Sequence, residues 1–452
     1  MREQGWRGGR RAIATLGALL LGAPGCSERA APTSLHEAAA QGDLVRLAAL
    51  LEAGDPDRPD ARGWTAFDAA VDAGQQAAAA LLLEAGARLE STGSAPSPLY
   101  RASRDGSAEL VEWLLARGAD VEHGVAGGWS PLHVAAAYGR SESVALLLAH
   151  DAPVDAKTQE GWTPLYLASR AGHADPAHQL LEHGAAVDAG FEDGWRVLHA
   201  AALANLPTLA EALLARGAPV DPRSARGLTP LHVAASAGSV DAARVLLAHG
   251  ADADSRAQDG STPLHLATAA GERGMLEALL AGGAQLEARD VQGRSALLLA
   301  CELGDVETSA LLLERGADTG ARLPNGSTPL HAAAATHQSE LARQLVRAGA
   351  DPRARNQDGI TPLHLAAFMR SPETAAVLLD AGAEIEARAA YSATPLILAA
   401  QSGSVEVVEL LLARGARADA RDVAGGSSLD HASRGGHEEV ARLLREHVRR
   451  GD

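Results

Sequence analysis

The chain has 452 residues, 46% apolar but only 3% aromatic, and a formal charge of −17. A chain this poor in aromatics must build its core from Ala and Leu, which suits thin layers of short helices better than one deep globular core. The acidic balance repels phosphate backbones and argues against a nucleic-acid partner, and two cysteines, Cys26 and Cys301, imply no disulfide framework.

Residues 1–25 differ in character from the rest. Arg2, Arg7, Arg10 and Arg11 make a basic start, and Ala12 to Gly22 is uncharged but too short to span a bilayer. Small residues then lead to Cys26. This layout is expected of a secretory signal peptide. The run Gly22-Ala23-Pro24-Gly25-Cys26 also resembles a bacterial lipobox, with Ala23 where that motif prefers leucine. The resemblance implies that Cys26 is lipidated and becomes the first mature residue; plain secretion is the alternative. Arg10-Arg11 resembles a twin-arginine export signal. The expected location is the bacterial cell envelope, lipid-anchored or periplasmic and secreted, with membrane contact only through the anchor.

From residue 33 onward the chain repeats itself, after a linker over 27–32. Thr163-Pro-Leu-Tyr166, Thr229-Pro-Leu-His232, Thr262-Pro-Leu-His265, Thr328-Pro-Leu-His331 and Thr361-Pro-Leu-His364 mark the period. Aligned on the first residue, the anchors are Thr33, Thr65, Ser97, Ser130, Thr163, Arg196, Thr229, Thr262, Ser295, Thr328, Thr361, Thr394 and Ser427. The first two steps are 32 residues and the others 33, which leaves no room for an inserted domain. This gives about thirteen repeats over 33–447 and a tail over 448–452.

One repeat illustrates the local physics. Thr229 is a good N-cap, and Pro230 follows at the first helical position, where its missing N–H costs nothing. Leu231, Ala234 and Ala235 fall on one helical face. Gly238 ends that helix through positive φ. A second helix is expected from about Val240 to His249, with Ala243, Leu246 and Leu247 on its apolar side. Gly250 stops it, and the stretch to Gly260 is a polar turn.

Some repeats depart from this pattern and should be softer. Thr65-Ala-Phe-Asp68 lacks Pro and His, Arg196-Val-Leu-His199 lacks both the cap and the proline, and Ser295-Ala-Leu-Leu298 is apolar where His is usual. Asn205 replaces the usual Gly but tolerates the left-handed conformation. The last repeat ends in Arg442, Arg445, Glu446, His447, Arg449 and Arg450, the polar outer face that a terminal cap needs.

The period and tetrapeptide together resemble the ankyrin repeat, over residues 33 to about 447. The resemblance implies an all-α solenoid of helix-turn-helix units with projecting β-hairpin-like fingers, acting as a protein-protein interaction scaffold that binds a protein partner on its concave face. It also makes the recurring His a structural hydrogen-bonding residue. Spacing agrees: His232 and His265 lie in adjacent layers roughly 10 Å apart, whereas zinc ligands stand about 2 Å from one centre. No metal, cofactor or catalytic residue is expected. There is no Gly-rich phosphate loop, paired HxxxH or nucleophile elbow. Cys301 occupies the place of a buried small hydrophobe.

In ankyrin arrays the residue after the turn Gly lies on the finger, and those after the Leu-x-Ala-Ala run end the inner helix, both facing the concave side. At the finger place stand Trp64, Trp129, Trp162 and Trp195; at the inner-helix places stand Tyr138, Arg170 and Leu203. Trp129, Tyr138, Trp162, Arg170, Trp195 and Leu203 make the main candidate face, since Trp, Tyr and Arg supply most binding hot spots. Ile360, Phe368, Met369 and Tyr391 make a second patch. Trp113, within a leucine run, is expected in the core. Two further roles stay open beside the scaffold: inhibition of, or immunity to, a toxin or enzyme, and an accessory part in an enzyme complex.

Overall fold

In the computed structural model, residues 34–91, 95–191 and 193–451 are described. The leader, Cys26 and Thr33 lie outside them. The described residues form twenty-six α-helices and one 3-10 turn, Ala390–Ser392, with no strand among them. No helix among them is long and apolar enough to cross a membrane. They fall into two units, dividing between Pro98 and Leu99.

The repeat read from the sequence is the unit of packing. Thr229 is extended at φ −93° and its hydroxyl accepts from the His232 N–H, which starts the inner helix Pro230–Ala237. Gly238 closes that helix in the left-handed region at φ 70°. The outer helix Val240–Ala248 follows, with Ala242, Ala243 and Leu246 fully buried and Leu247 only half-buried. Inner helices pack on inner helices: Pro230–Ala237 touches both Val197–Leu203 and Pro263–Ala270. Outer helices pack likewise, Pro207–Ala215 and Arg273–Ala281 flanking Val240–Ala248. The inner faces are nearly all Ala and Leu, as at Ala234, Ala235, Ala267, Ala333 and Ala366, each 0% exposed. Small side chains let these helices approach closely, and burial of a Leu contributes roughly 1.5–3 kcal/mol.

Between the helix pairs the chain makes tight projecting turns rather than strand-paired hairpins. Each is closed by a backbone bond, such as Thr158 N–H to the Trp162 carbonyl at 3.0 Å and Ala257 N–H to the Ser261 carbonyl at 2.9 Å. Among the described residues three such turns reach the geometry of an isolated bridge, at Val125–Trp129, Gly190–Arg196 and Arg421–Ser427. Neighbouring turns stack closely. A Cβ at Gly260 would sit 2.8 Å from the Val291 nitrogen, so glycine there permits the approach as well as the φ of 72°.

The first unit contains the pairs Leu35–Gln41 with Leu44–Leu51 and Ala66–Asp72 with Gln76–Glu84. Its first helix is capped by Ser34, one residue later than the repeat alignment expects, with Glu37 completing a capping box. The missing His of the next pair is made good by Asp68. Fully buried, it accepts from the Thr65 N–H at 2.8 Å, the Thr65 hydroxyl at 3.0 Å and the Ser91 hydroxyl at 2.5 Å.

Trp113 corrects an expectation. The buried residues of its helix, Ala108–Leu115, are Leu110, Val111, Leu114 and Leu115. Trp113 lies half-buried beside them, with the Arg117 guanidinium 3.9 Å from its ring centre. Asn205 behaves as expected, at φ 51°, and also ties repeats together by accepting from the Ala242 N–H at 3.0 Å. The last helix, Glu438–Gly451, buries Val440, Ala441 and Leu444 and exposes Arg442, Arg445, His447 and Arg449.

Candidate functional site

Three sets of bonds hold the fingers in register, and the recurring His is the first. In His232 the Nδ1 atom accepts from the Thr229 N–H at 3.2 Å, so the proton sits on Nε2, which donates forward to the Ser261 carbonyl at 3.1 Å. His133, His199, His265, His331 and His364 do the same towards Trp162, Leu228, Arg294, Ile360 and Ala393. Burial, the largest cause in each, lowers all six imidazoles, His232 and His364 to about 4. Each ring is thus neutral with both nitrogens engaged. Among the described residues no group of three or more His, Cys, Asp or Glu could hold a metal ion.

The second set is a row of arginines that the sequence reading did not single out. Arg223, Arg256, Arg289, Arg322, Arg355 and Arg388 each donate from Nη1 to the carbonyl of the residue 33 positions on, itself an arginine in every case. Most also reach a carbonyl four residues ahead in their own turn, as Arg322 does at Gly326 (2.8 Å). The third set consists of carboxylates accepting an amide 31 residues on: Asp155 from Ala186, Asp221 from Asp252, Asp254 from Gln285, Glu287 from Asp318 and Glu386 from Arg417. Acidic and basic side chains of the turns therefore act largely as ties between neighbours.

The aromatic residues stand on this frame. Trp129, Trp162 and Trp195 are all half-buried, less exposed than free finger residues would be. Trp129 meets Trp162 edge-on at 6.3 Å, Trp162 lies 6.4 Å from Tyr166, and Tyr166 lies 4.0 Å from Phe191. Such pairs contribute about 0.5–1.5 kcal/mol beyond their buried area. Trp195 lies over its own His199 at 5.3 Å. Arg170 is half-buried and donates to the Tyr166 hydroxyl at 3.2 Å, which joins it to the row. Tyr138 is 44% exposed and stands beside Tyr100, whose phenol is pushed up to about 12, chiefly by burial. Leu203, half-buried, ends its inner helix Val197–Leu203. Tyr166 and Phe191 were missed as site residues: one occupies the His place of its repeat, the other the base of a turn. Trp64, in the first unit, is covered by the Arg62 guanidinium at 4.4 Å.

The second patch divides in two. Ile360 and Tyr391 line a cleft of about 440 Å³ together with Asp358, Ile397, Leu398 and Asp422. Phe368, 48% exposed, and Met369 are at the end of the inner helix Pro362–Phe368 and outside that lining. Cys301 is buried, its Sγ 3.9 Å from the Ser309 hydroxyl, and burial pushes its thiol up to about 12.

Helix pairs with a 33-residue step, an N-capping Thr or Ser and a forward-donating His define the repeat. Family models described as ankyrin repeats match residues 99–191, 249–322, 297–389 and 389–451 in one form and 213–267 in another. The chain belongs to the ankyrin-repeat family. A search of curated proteins found no match. Ankyrin repeats are protein-interaction modules, so the fingers and inner-helix ends of this ankyrin-repeat protein are where a protein partner is sought.

Proposed function

We propose that this ankyrin-repeat protein is a non-enzymatic binding scaffold, exported to the bacterial cell envelope. Its protein partner rests on the row around Trp129, Trp162 and Trp195, with Tyr138, Arg170 and Leu203 beside it. One observation carries the reading. In a chain with so few aromatics, nearly half lie between residues 129 and 195, and four of these, Trp129, Trp162, Tyr166 and Phe191, make a continuous row in which all but the buried Tyr166 stay half-buried. A core role favours full burial, and a solvated turn does not favour Trp at all. Half-buried Trp side chains with Tyr and Arg next to them have the composition of a binding hot spot.

The basic, short apolar leader ending at Cys26 supports export and a lipid anchor. The test uses wild type and Trp162→Ala as bait in envelope extracts, followed by calorimetry with the captured protein. Trp162→Ala is expected to weaken binding by about 2 kcal/mol or more. Unchanged affinity would remove the row from the interface. The activity of the captured protein separates a scaffold from an inhibitor or an enzyme accessory.

A further inference from the structure

The turn over residues 389–393 breaks the rule its neighbours follow. Gly260, Gly293, Gly326, Gly359 and Gly425 occupy one place in successive turns, all with positive φ, and at that place in this turn stands Ser392, at φ 60°. Tyr391, before it, is also left-handed, at φ 60°. For residues with a Cβ such a conformation is sterically costly and persists only where surrounding bonds enforce it. They do so here. Ala389 N–H reaches the Ala393 carbonyl at 2.9 Å, Ala390 N–H the Asp358 carbonyl at 2.7 Å, and Val423 N–H the Tyr391 carbonyl at 2.9 Å.

The result is a Tyr391 side chain 79% exposed at the edge of the cleft. Ile360, Ile397 and Leu398 supply apolar lining, and Gln401 supplies an amide able to bond a peptide backbone. The charged lining is mainly acidic. Asp358 is exposed, and Asp422 is held below the usual carboxylate range, first by His431, whose Nε2 lies 2.7 Å away. His431 is the lining's one basic side chain and is already turned to Asp422. Arg388 spends its Nη1 on the Ser392 and Arg421 carbonyls and is not part of the lining.

We propose that this cleft takes an arginine or lysine flanked by aliphatic side chains, from an extended segment of the partner protein. The aliphatic groups lie on Ile360, Leu398 and the Tyr391 ring, and the cation lies between Asp358 and Asp422. The volume suits a few side chains rather than a domain, and the net charge of −17 draws basic segments towards the chain. The inference rests on the scaffold reading but names a face distinct from the Trp row.

Random dodecapeptides displayed on phage are selected on the full chain and, in parallel, on Tyr391→Gly, Asp358→Asn and Trp162→Ala. Glycine accepts φ 60° without strain, so Tyr391→Gly is expected to fold, with a raised thermal midpoint. Peptides selected on wild type should converge on a basic residue between aliphatic ones. Their affinity, read by fluorescence anisotropy, should fall at least tenfold in Tyr391→Gly and about fivefold in Asp358→Asn, and stay unchanged in Trp162→Ala. Acidic or wholly apolar peptides overturn the proposal, as does undiminished affinity in Tyr391→Gly. Peptides lost only in Trp162→Ala sink this site while keeping the scaffold reading, and failure to converge on any face counts against both. Self-association by sedimentation that Tyr391→Gly abolishes assigns the cleft to a second copy and also overturns it.

Discussion

Arg289 and Arg322, thirty-three residues apart, are directly joined: Nη1 of Arg289 donates to the Arg322 carbonyl at 2.6 Å and to the Gly293 carbonyl at 3.0 Å. One guanidinium thus closes its own turn and pins the next. The two carbonyls are met by a single nitrogen at the end of a planar group, which the compact ammonium of lysine does not reproduce.

Arg289→Ala is therefore expected to loosen the turns on both sides of the break. The loss should be about 1 kcal/mol, since each net hydrogen bond is worth about that and both lie at the surface. Hydrogen exchange should show faster amides at Asp290 and Gly293, and Arg289→Lys should not restore them. Unchanged exchange would reduce the arginine row to solvated side chains.

Acid should weaken the array in a defined window. The six forward-donating His residues have pKa values lowered by burial, whereas in the unfolded chain they titrate near the ordinary value of 6.5. The unfolded state thus binds more protons below that value, so stability is fully present above it and lost as pH falls towards the folded values. For His232 and His364, lowered to about 4, the loss between pH 7 and pH 4 is about 3 kcal/mol each. Urea midpoints at pH 7.5, 6, 5 and 4 check this, with His232→Gln expected to flatten the dependence.

Asp68→Ala should destabilise the first unit by roughly 2 kcal/mol or more, because three donors lose a charged acceptor in a buried place. Asp68→His would show whether the usual residue of the repeat serves equally. A loss confined to a few tenths of a kcal/mol would mean the donors find other acceptors.

The repeat at Arg196 keeps half of its start. His199 still accepts from the Arg196 N–H at 3.1 Å, but the capping hydroxyl and the proline are missing. Replacing Arg196-Val197 by Thr-Pro should stabilise the array by about 1 kcal/mol, the usual value of a cap. The gain is limited by loss of the Arg196 bond to the Asp188 carbonyl at 3.2 Å. Slower exchange over 197–203, compared with 230–237 as internal reference, is the readout.

Cys301 should resist a thiol reagent until the array opens. Its thiol is buried and raised to about 12, so little thiolate forms at neutral pH. In a Cys26→Ala chain, the rate of reaction with Ellman's reagent should follow unfolding as urea is raised.

Helix positions, caps and the structural His were legible because each rests on local chemistry: a hydroxyl before a proline, a Gly at positive φ, an Ala face. The arginine row was just as regular in the sequence. Its role was hidden because an exposed Arg in a polar turn reads as solvated until the next turn's carbonyl is placed beside it. Trp113 misled through its neighbours, since a leucine run does not say which side of a short helix faces out. Of the candidate faces, the contact between Trp129 and Trp162 followed from their 33-residue register. The cleft at Tyr391 did not, because it depends on a pair of left-handed residues where the repeat supplies a single glycine.

The forward bond of each His gives the chain a direction. A repeat emerging from the ribosome has its helices but lacks the carbonyl its imidazole needs, which lies about thirty residues downstream, as Ser261 does from His232. Each His-bearing layer is therefore finished only when its successor has been made. In the last repeat Asp430 stands at that place and turns back to the Ser427 N–H and hydroxyl instead. That repeat completes the start of its inner helix with bonds of its own, whereas each His-bearing repeat waits for a carbonyl from the next.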